Sequence, residues 1–196
     1  MRDMVKPTLS LFIICLVVSF CLAFVNGITK DTIAQRTAKD AEEQRKLVLS
    51  EANSFKLIEG WKGKDESGLV REAYAAYNGE DLIGYVFSAF PVGYGGEIAV
   101  TVGVNIGNKI SGVKVGSNSE TPGLGSKTTK DDFTDQYQDT DVLEDFTVVK
   151  RPATADNEIQ AVSGATVSST AVTKAVKASA KLGSMLLQEK DGGEVK

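Results

Sequence analysis

The run SGATVSSTAV, residues 163–172, gathers five hydroxyl side chains, Ser163, Thr166, Ser168, Ser169 and Thr170, around Gly164 and Ala165. A hydroxyl becomes a nucleophile when a nearby base takes its proton. This run has no His, Cys, Asp or Glu, and the whole chain has no His, so the turn cannot activate itself. Its hydroxyls can still form hydrogen bonds. Ser or Thr ahead of a helix satisfies the free N–H groups of the first turn. Gly164 and Ala165 leave the backbone uncovered, so a bulky anion can reach those same N–H groups at the positive end of the helix dipole. One cap needs one hydroxyl and five are present. A plain helix cap and a phosphate seat both remain open on the residues alone.

Two glycine-rich stretches accompany this turn. NSETPGLGSKTT, residues 118–129, follows a strand pattern, and Pro122, Gly123 and Gly125 fix turns within it. It is not a phosphate-binding P-loop, because that motif needs Gly followed by Lys and then Ser or Thr, whereas Ser126 follows Gly125. PVGYGG, residues 91–96, presents Tyr94 between glycines and leads into a strand. That context excludes a dinucleotide fingerprint, in which the glycines open a helix.

The balance of charge narrows the function classes. A net charge of −4 disfavours nucleic acid, whose phosphates require a basic face. The absence of His removes the commonest metal ligand and general base. The two cysteines, Cys15 and Cys21, both lie in the first apolar segment, so the remainder cannot ligate an iron–sulfur cluster or a Cys-bound zinc.

The elements that must position the three stretches follow from periodicity. LSLFIICLVVSFCLAFV, residues 9–25, approaches the ~20 apolar residues of a bilayer-spanning helix, with Arg2 and Lys6 before it. Phe24, Val25 and Asn26 make a poor signal-cleavage site, so a retained anchor over 9–28 is preferred to a removed signal peptide. The positive-inside tendency leaves tail 1–8 in the cytoplasm and the rest on the outer face of the cytoplasmic membrane. Apart from Arg2, Lys6 and Asp3, the chain holds 20 of its 22 basic and 25 of its 26 acidic residues, a net −5.

Residues 29–60 are expected to form a helical stalk, 61–188 the folded domain, and 189–196 a flexible tail. In the domain, REAYAAY and LIGYVFSAF flank Asn78-Gly79, a hairpin signal. Ile98, Val100, Val102 and Val104 alternate with Ala99, Thr101, Gly103 and Asn105, and Gly107-Asn108 turns the chain into a further strand. A short helix is expected at 131–137, a strand at 146–150 and a helix at 168–187 with an apolar stripe through Val172, Ala175, Val176, Leu182 and Leu186. The fold class is α+β, a twisted antiparallel sheet packed with helices behind one N-terminal membrane helix.

Together, GYGGEIAVTVGVN, GVKVGSNSETPGLGSK and, some forty residues on, SGATVSS resemble the FMN-binding domain of the G subunit of Rnf electron-transport complexes. That domain is shared with the C subunit of the sodium-pumping NADH:quinone oxidoreductase. The resemblance covers nearly the whole chain and implies FMN carried covalently on Thr166 through a phosphoester. A separate Mg-dependent flavin transferase makes that bond, with FAD as donor and AMP as product. It further implies that Ser163, Gly164 and Ala165 form the recognition sequence, and that Ser168 and Ser169 hold the phosphate. Glu120, Thr121, Gly123, Leu124 and Gly125 would lie against the isoalloxazine ring, with Tyr94 beside it.

The implied protein is an electron-carrying component of a membrane ferredoxin:NAD oxidoreductase, incomplete as an enzyme by itself. Its partners would be the other membrane, cluster and flavin subunits, the transferase during maturation, and lipid, with no nucleic acid. The alternatives are a component of the NADH:quinone type, an exported FMN module of another reductase, and a lipoprotein-like ligand-binding domain without redox function.

Overall fold

The computed structural model describes residues 2–192. The chain divides into two compact units, Met1–Asp40 and Ala41–Lys196. Helix α1 spans Arg2–Val48. Within it, Pro7–Lys30 is apolar over 24 residues, ~36 Å at 1.5 Å per residue, long enough to cross a bilayer core. Its large side chains, among them Phe12, Phe20 and Leu22, are exposed, as the surface of a lipid-facing helix would be.

The second unit is built on a five-stranded antiparallel meander in the order β1-β2-β3-β4-β5. The strands are β1 Ser54–Leu57, β2 Val70–Asn78, β3 Asp81–Ala89, β4 Ile98–Asn105 and β5 Ile110–Asn118. The expected hairpins are in place: Asn78 pairs with Asp81 across the Gly79 turn, and β4 returns as β5 with Val102 opposite Val113. Helix α2 is a single turn, Asp131–Thr134, extended by a 3-10 turn through Tyr137. Helix α3, Thr166–Gly192, lies across one face of the sheet. Ile98, Val100, Val102 and Val104 point to that face and meet Val172, Ala175, Val176 and Leu182 in one core.

Three features differ from the sequence expectation. The compact unit starts at Ala41 rather than at 61, because the end of α1 and β1 belong to the sheet. Val48, Leu49 and Ala52 are buried against Ala76 and Val86 on the face opposite α3, and β1 pairs Phe55 with Ala76. The strand expected at 146–150 forms as β6, Thr147–Val149, but joins a separate two-stranded parallel sheet with β7, Glu158–Gln160. Arg151 closes the connecting loop on Glu158, and with the Thr154 amide it holds that carboxyl down to about 2. Finally, α3 continues through Gly192, into the expected tail, while 193–196 lie outside the described residues.

Candidate functional site

The head of α3 is set by a tight turn. The Ala165 amide donates to the Val162 carbonyl at 2.9 Å, and Gly164 sits at φ +77°, where a side chain would be strained and would crowd Leu124 at 3.1 Å. Thr166 is the first helical residue. Among the described residues, the amides of Thr166, Val167 and Ser168 have no intramolecular acceptor, which is the ordinary condition of a first helical turn. The Thr166 hydroxyl has none either.

The remaining hydroxyls divide by helical phase. Ser168 and Ser169 are buried. Ser168 Oγ donates to Glu120 Oε2 at 2.6 Å. Ser169 Oγ donates to the Ala165 carbonyl and accepts from the Val162 amide, each at 3.0 Å. Both hydroxyls expected to hold a phosphate are thus bonded within the chain in this structure. Helical phase turns both side chains inward, one to the interloop carboxylate and one to the turn's own backbone. Ser163 is exposed and Ala165 buried.

On the opposite phase, Thr166, Thr170 and Lys174 fall at i, i+4 and i+8, one stripe of the helix. They line a groove of about 450 Å³ whose far wall is Leu69, Pro91 and Val92. Lys174 is exposed and has no ion-pair partner among the described residues. Neither Lys174 nor the apolar wall was singled out from sequence, although the eight-residue spacing of Lys174 from Thr166, two steps of i+4, was the available signal.

The two glycine loops close around the same place. In 119–130 the Leu124 amide donates to the Thr121 carbonyl at 3.1 Å, and the Gly123 amide to Ser126 Oγ at 2.9 Å. Gly123 has φ +79°. Thr121 contributes that carbonyl while its side chain is exposed; Leu124 is also exposed, and Gly125 is buried. In 91–96 the Gly93 amide closes on the Gly96 carbonyl at 2.8 Å and leaves Tyr94 at 76% exposure. Glu120, only 6% exposed, accepts from the Gly95 amide at 3.1 Å as well as from Ser168. The structure therefore unites the SGAT turn, the ETPGLG loop and the GYGG loop, through Leu124 at Gly164 and through Glu120.

Behind the site, Tyr137 is packed edge-on by Phe133 and Phe146. Its phenol contacts Thr173 Oγ1 at 2.7 Å, and Thr173 donates to the Ser169 carbonyl at 2.9 Å. Burial pushes that phenol well above its usual range, so Tyr137 is a neutral donor that braces the first turns of α3.

Comparison with known proteins fits this geometry. The model of the FMN-binding domain matches residues 93–181, which begin in the GYGG loop and end within α3. The G subunit of the proton-translocating ferredoxin:NAD(+) oxidoreductase complex of Clostridium ljungdahlii is 35% identical over 170 residues, covering 87% of this chain and 86% of that protein. The G subunit of the Na(+)-translocating complex of Acetobacterium woodii is 32% identical over 184 residues, covering 89% and 88%.

Among solved structures, Shewanella oneidensis NqrC superposes with a TM-score of 0.53 at 16% identity, covering 74% of each chain. The C subunit of the Na(+)-translocating NADH-quinone reductase of Parabacteroides distasonis gives 0.50 at 17%, covering 78% of this chain and 94% of that one. At such identities the likeness extends to fold. The match to the two G subunits, over most of both chains, goes further: the chain belongs to the G-subunit family of ion-translocating ferredoxin:NAD(+) oxidoreductase complexes.

Proposed function

We propose that this protein carries electrons within a membrane-bound ferredoxin:NAD(+) oxidoreductase complex, using FMN joined to Thr166 Oγ1 by a phosphoester. The observation that carries the attachment is the state of the hydroxyls at the head of α3. Ser168 and Ser169 are bonded internally, whereas the hydroxyls of Thr166 and Thr170 have no intramolecular partner among the described residues and line the groove, and of these two it is Thr166 that stands at the first helical position beside the free amides. The free amides of the first turn and the positive end of the helix dipole favour a phosphoester's charge at this helix end.

The residues fit the group. A groove of about 450 Å³ is in the range that holds a flat organic ligand. Leu69, Pro91 and Val92 offer an apolar wall, and Lys174 a cation. Bound FMN supplies reversible one- and two-electron transfer. The chain's part is to hold it: Thr166 by the covalent bond, the Thr166–Ser168 amides at the phosphoester, and the groove wall against the ring. Leu124 and Tyr94, both exposed beside the turn, are the further candidates for ring contact.

Attachment is the work of a separate transferase. The Thr166 oxygen attacks the FMN-side phosphorus of FAD, the pyrophosphate P–O bond breaks, AMP leaves, and the threonine proton passes to a base on that enzyme. The partners are the other subunits of the complex. α1 is the single membrane anchor, and the sheet unit lies on the outer face. An NADH:quinone assignment has less support, resting on fold likeness at 16% and 17% identity.

Thr166→Ala tests the reading. Even a capping hydroxyl costs only about 1 kcal/mol when lost, and the Thr166 hydroxyl caps nothing among the described residues, so the change is too small to unfold a domain with ~5–15 kcal/mol of stability. After co-expression with the transferase, the wild-type chain should show one FMN by peptide mass and fluoresce in a denaturing gel. The variant should show neither. A fluorescent Thr166→Ala band moves the attachment elsewhere.

A further inference from the structure

Among the described residues, Glu120 is the one acidic side chain buried at the site, and a buried carboxylate is costly unless hydrogen bonds replace its water. It is held by two donors from separate parts of the chain, the Gly95 amide and the Ser168 hydroxyl. They lie 25 and 48 residues away in sequence. The surroundings are cut to fit this carboxylate. A Cβ on Gly93 would collide with Glu120 Oε1, and one on Gly125 with Glu120 Oε2, with Ser168 Oγ only 2.8 Å away. Neither Gly93 nor Gly125 has a positive φ, so the space the carboxylate occupies, together with Ile98 Cδ1 at 2.5 Å from the Gly93 position, accounts for glycine at these two sites.

From this geometry we propose that Glu120 is a positioning residue, a latch that assembles the GYGG loop, the ETPGLG loop and the head of α3 into one rigid site around Thr166. It does so as a buried side chain, through the two donors it holds. The inference deepens the attachment reading and rests on it only for the consequence on flavin loading. Both donors need an acceptor, and a carboxylate offers one at each end. An amide offers one acceptor and one donor, but a serine hydroxyl can reverse and accept. Glu120→Gln therefore keeps the latch, while Glu120→Ala leaves the Gly95 amide and the Ser168 hydroxyl unpaired. Ser168→Ala releases one arm only.

The test uses the full flavin-free chain in detergent micelles, the purified transferase and FAD. Three readouts apply: the rate of covalent FMN incorporation, the Gly95 amide proton resonance, and thermal unfolding. Glu120→Ala should load about tenfold or more slowly at a temperature where it is folded, as expected when a reacting group loses its supporting shell. Glu120→Gln should load close to wild type, and Ser168→Ala between the two. The Gly95 resonance should move upfield in Glu120→Ala and little in Glu120→Gln. Gly93→Ala should destabilise the wild-type background and cost somewhat less beside Glu120→Ala, because the carboxylate oxygen it meets is gone while Ile98 Cδ1, 2.5 Å away, remains.

A wild-type loading rate in Glu120→Ala with an unmoved Gly95 resonance would overturn the latch. The resonance needs no flavin, so an unmoved Gly95 signal in Glu120→Ala overturns the latch even if Thr166 proves not to be the acceptor.

Discussion

Lys174 shows how a single position gains meaning from helical phase. It stands two four-residue steps beyond Thr166, on the stripe that lines the groove, and carries no ion pair among the described residues. Reduction adds negative charge to a flavin, so a neighbouring cation favours the reduced form. With the ring seated in this groove, Lys174→Gln should lower the midpoint potential and Lys174→Arg should preserve it. The cation is exposed, so solvent screening limits the effect to roughly 1 kcal/mol or less, on the order of 20 mV for a two-electron couple. The shift should shrink as salt rises. Spectroelectrochemical titration of the loaded chain measures it; identical potentials in all three proteins would place the ring away from Lys174, toward Leu124 and Tyr94.

The end of α1 is fitted to the sheet through a glycine pair. Gly103 and Gly112 face each other across β4 and β5, directly beneath Val48. A Cβ on Gly103 would lie 2.7 Å from the Val48 carbonyl oxygen, and one on Gly112 3.1 Å from its Cα. Ser111 Oγ donates to that carbonyl at 2.7 Å, and Thr101 Oγ1 to Gln44 Oε1 at 3.0 Å. The notch seats the last turn of the helix and satisfies one of its free carbonyls. Gly103→Ala overpacks it against backbone, so a loss of about 1–3 kcal/mol is expected in denaturant unfolding. The SGAT turn lies on the α3 side of the sheet, so with Thr166 as the acceptor FMN incorporation by the folded variant should be unchanged. An unaltered unfolding midpoint would mean that the notch has slack.

For the molecule as a whole, the charges flanking the apolar helix bear on the side of the membrane where the sheet unit works. The chain has, among its described residues, one helix long and apolar enough to cross a bilayer. Arg2 and Lys6 precede it, and a basic flank of a membrane helix tends to stay in the cytoplasm. A reporter enzyme active only after export, fused behind Lys196, should therefore be active. One that works only in the cytoplasm, fused at the same place, should be silent. The reverse pattern would put the flavin domain inside, with Lys30, Arg36 and Lys39 as the flank that decided orientation.

The sequence by itself determined whatever depends on near neighbours along the chain. Alternation in 98–105, the Asn78-Gly79 turn and the apolar stripe of α3 are set by local sterics and by the need to bury one face. They are legible because their period is written in consecutive residues. The three motifs were legible for the same reason, as was the family they point to. Tertiary structure decided what depends on residues far apart. The docking of Val48 and Leu49 on the second face of the sheet leaves no period in the sequence. The parallel pairing of β6 with β7 joins two three-residue strands too short to show one. The inward turn of Ser168 follows from α3 beginning at Thr166, and the latch follows from a bond spanning 48 residues between Ser168 and Glu120. A five-hydroxyl run reads as uniform in sequence. The rotation of a helix sends some of its members into the interior and leaves Thr166 on the groove.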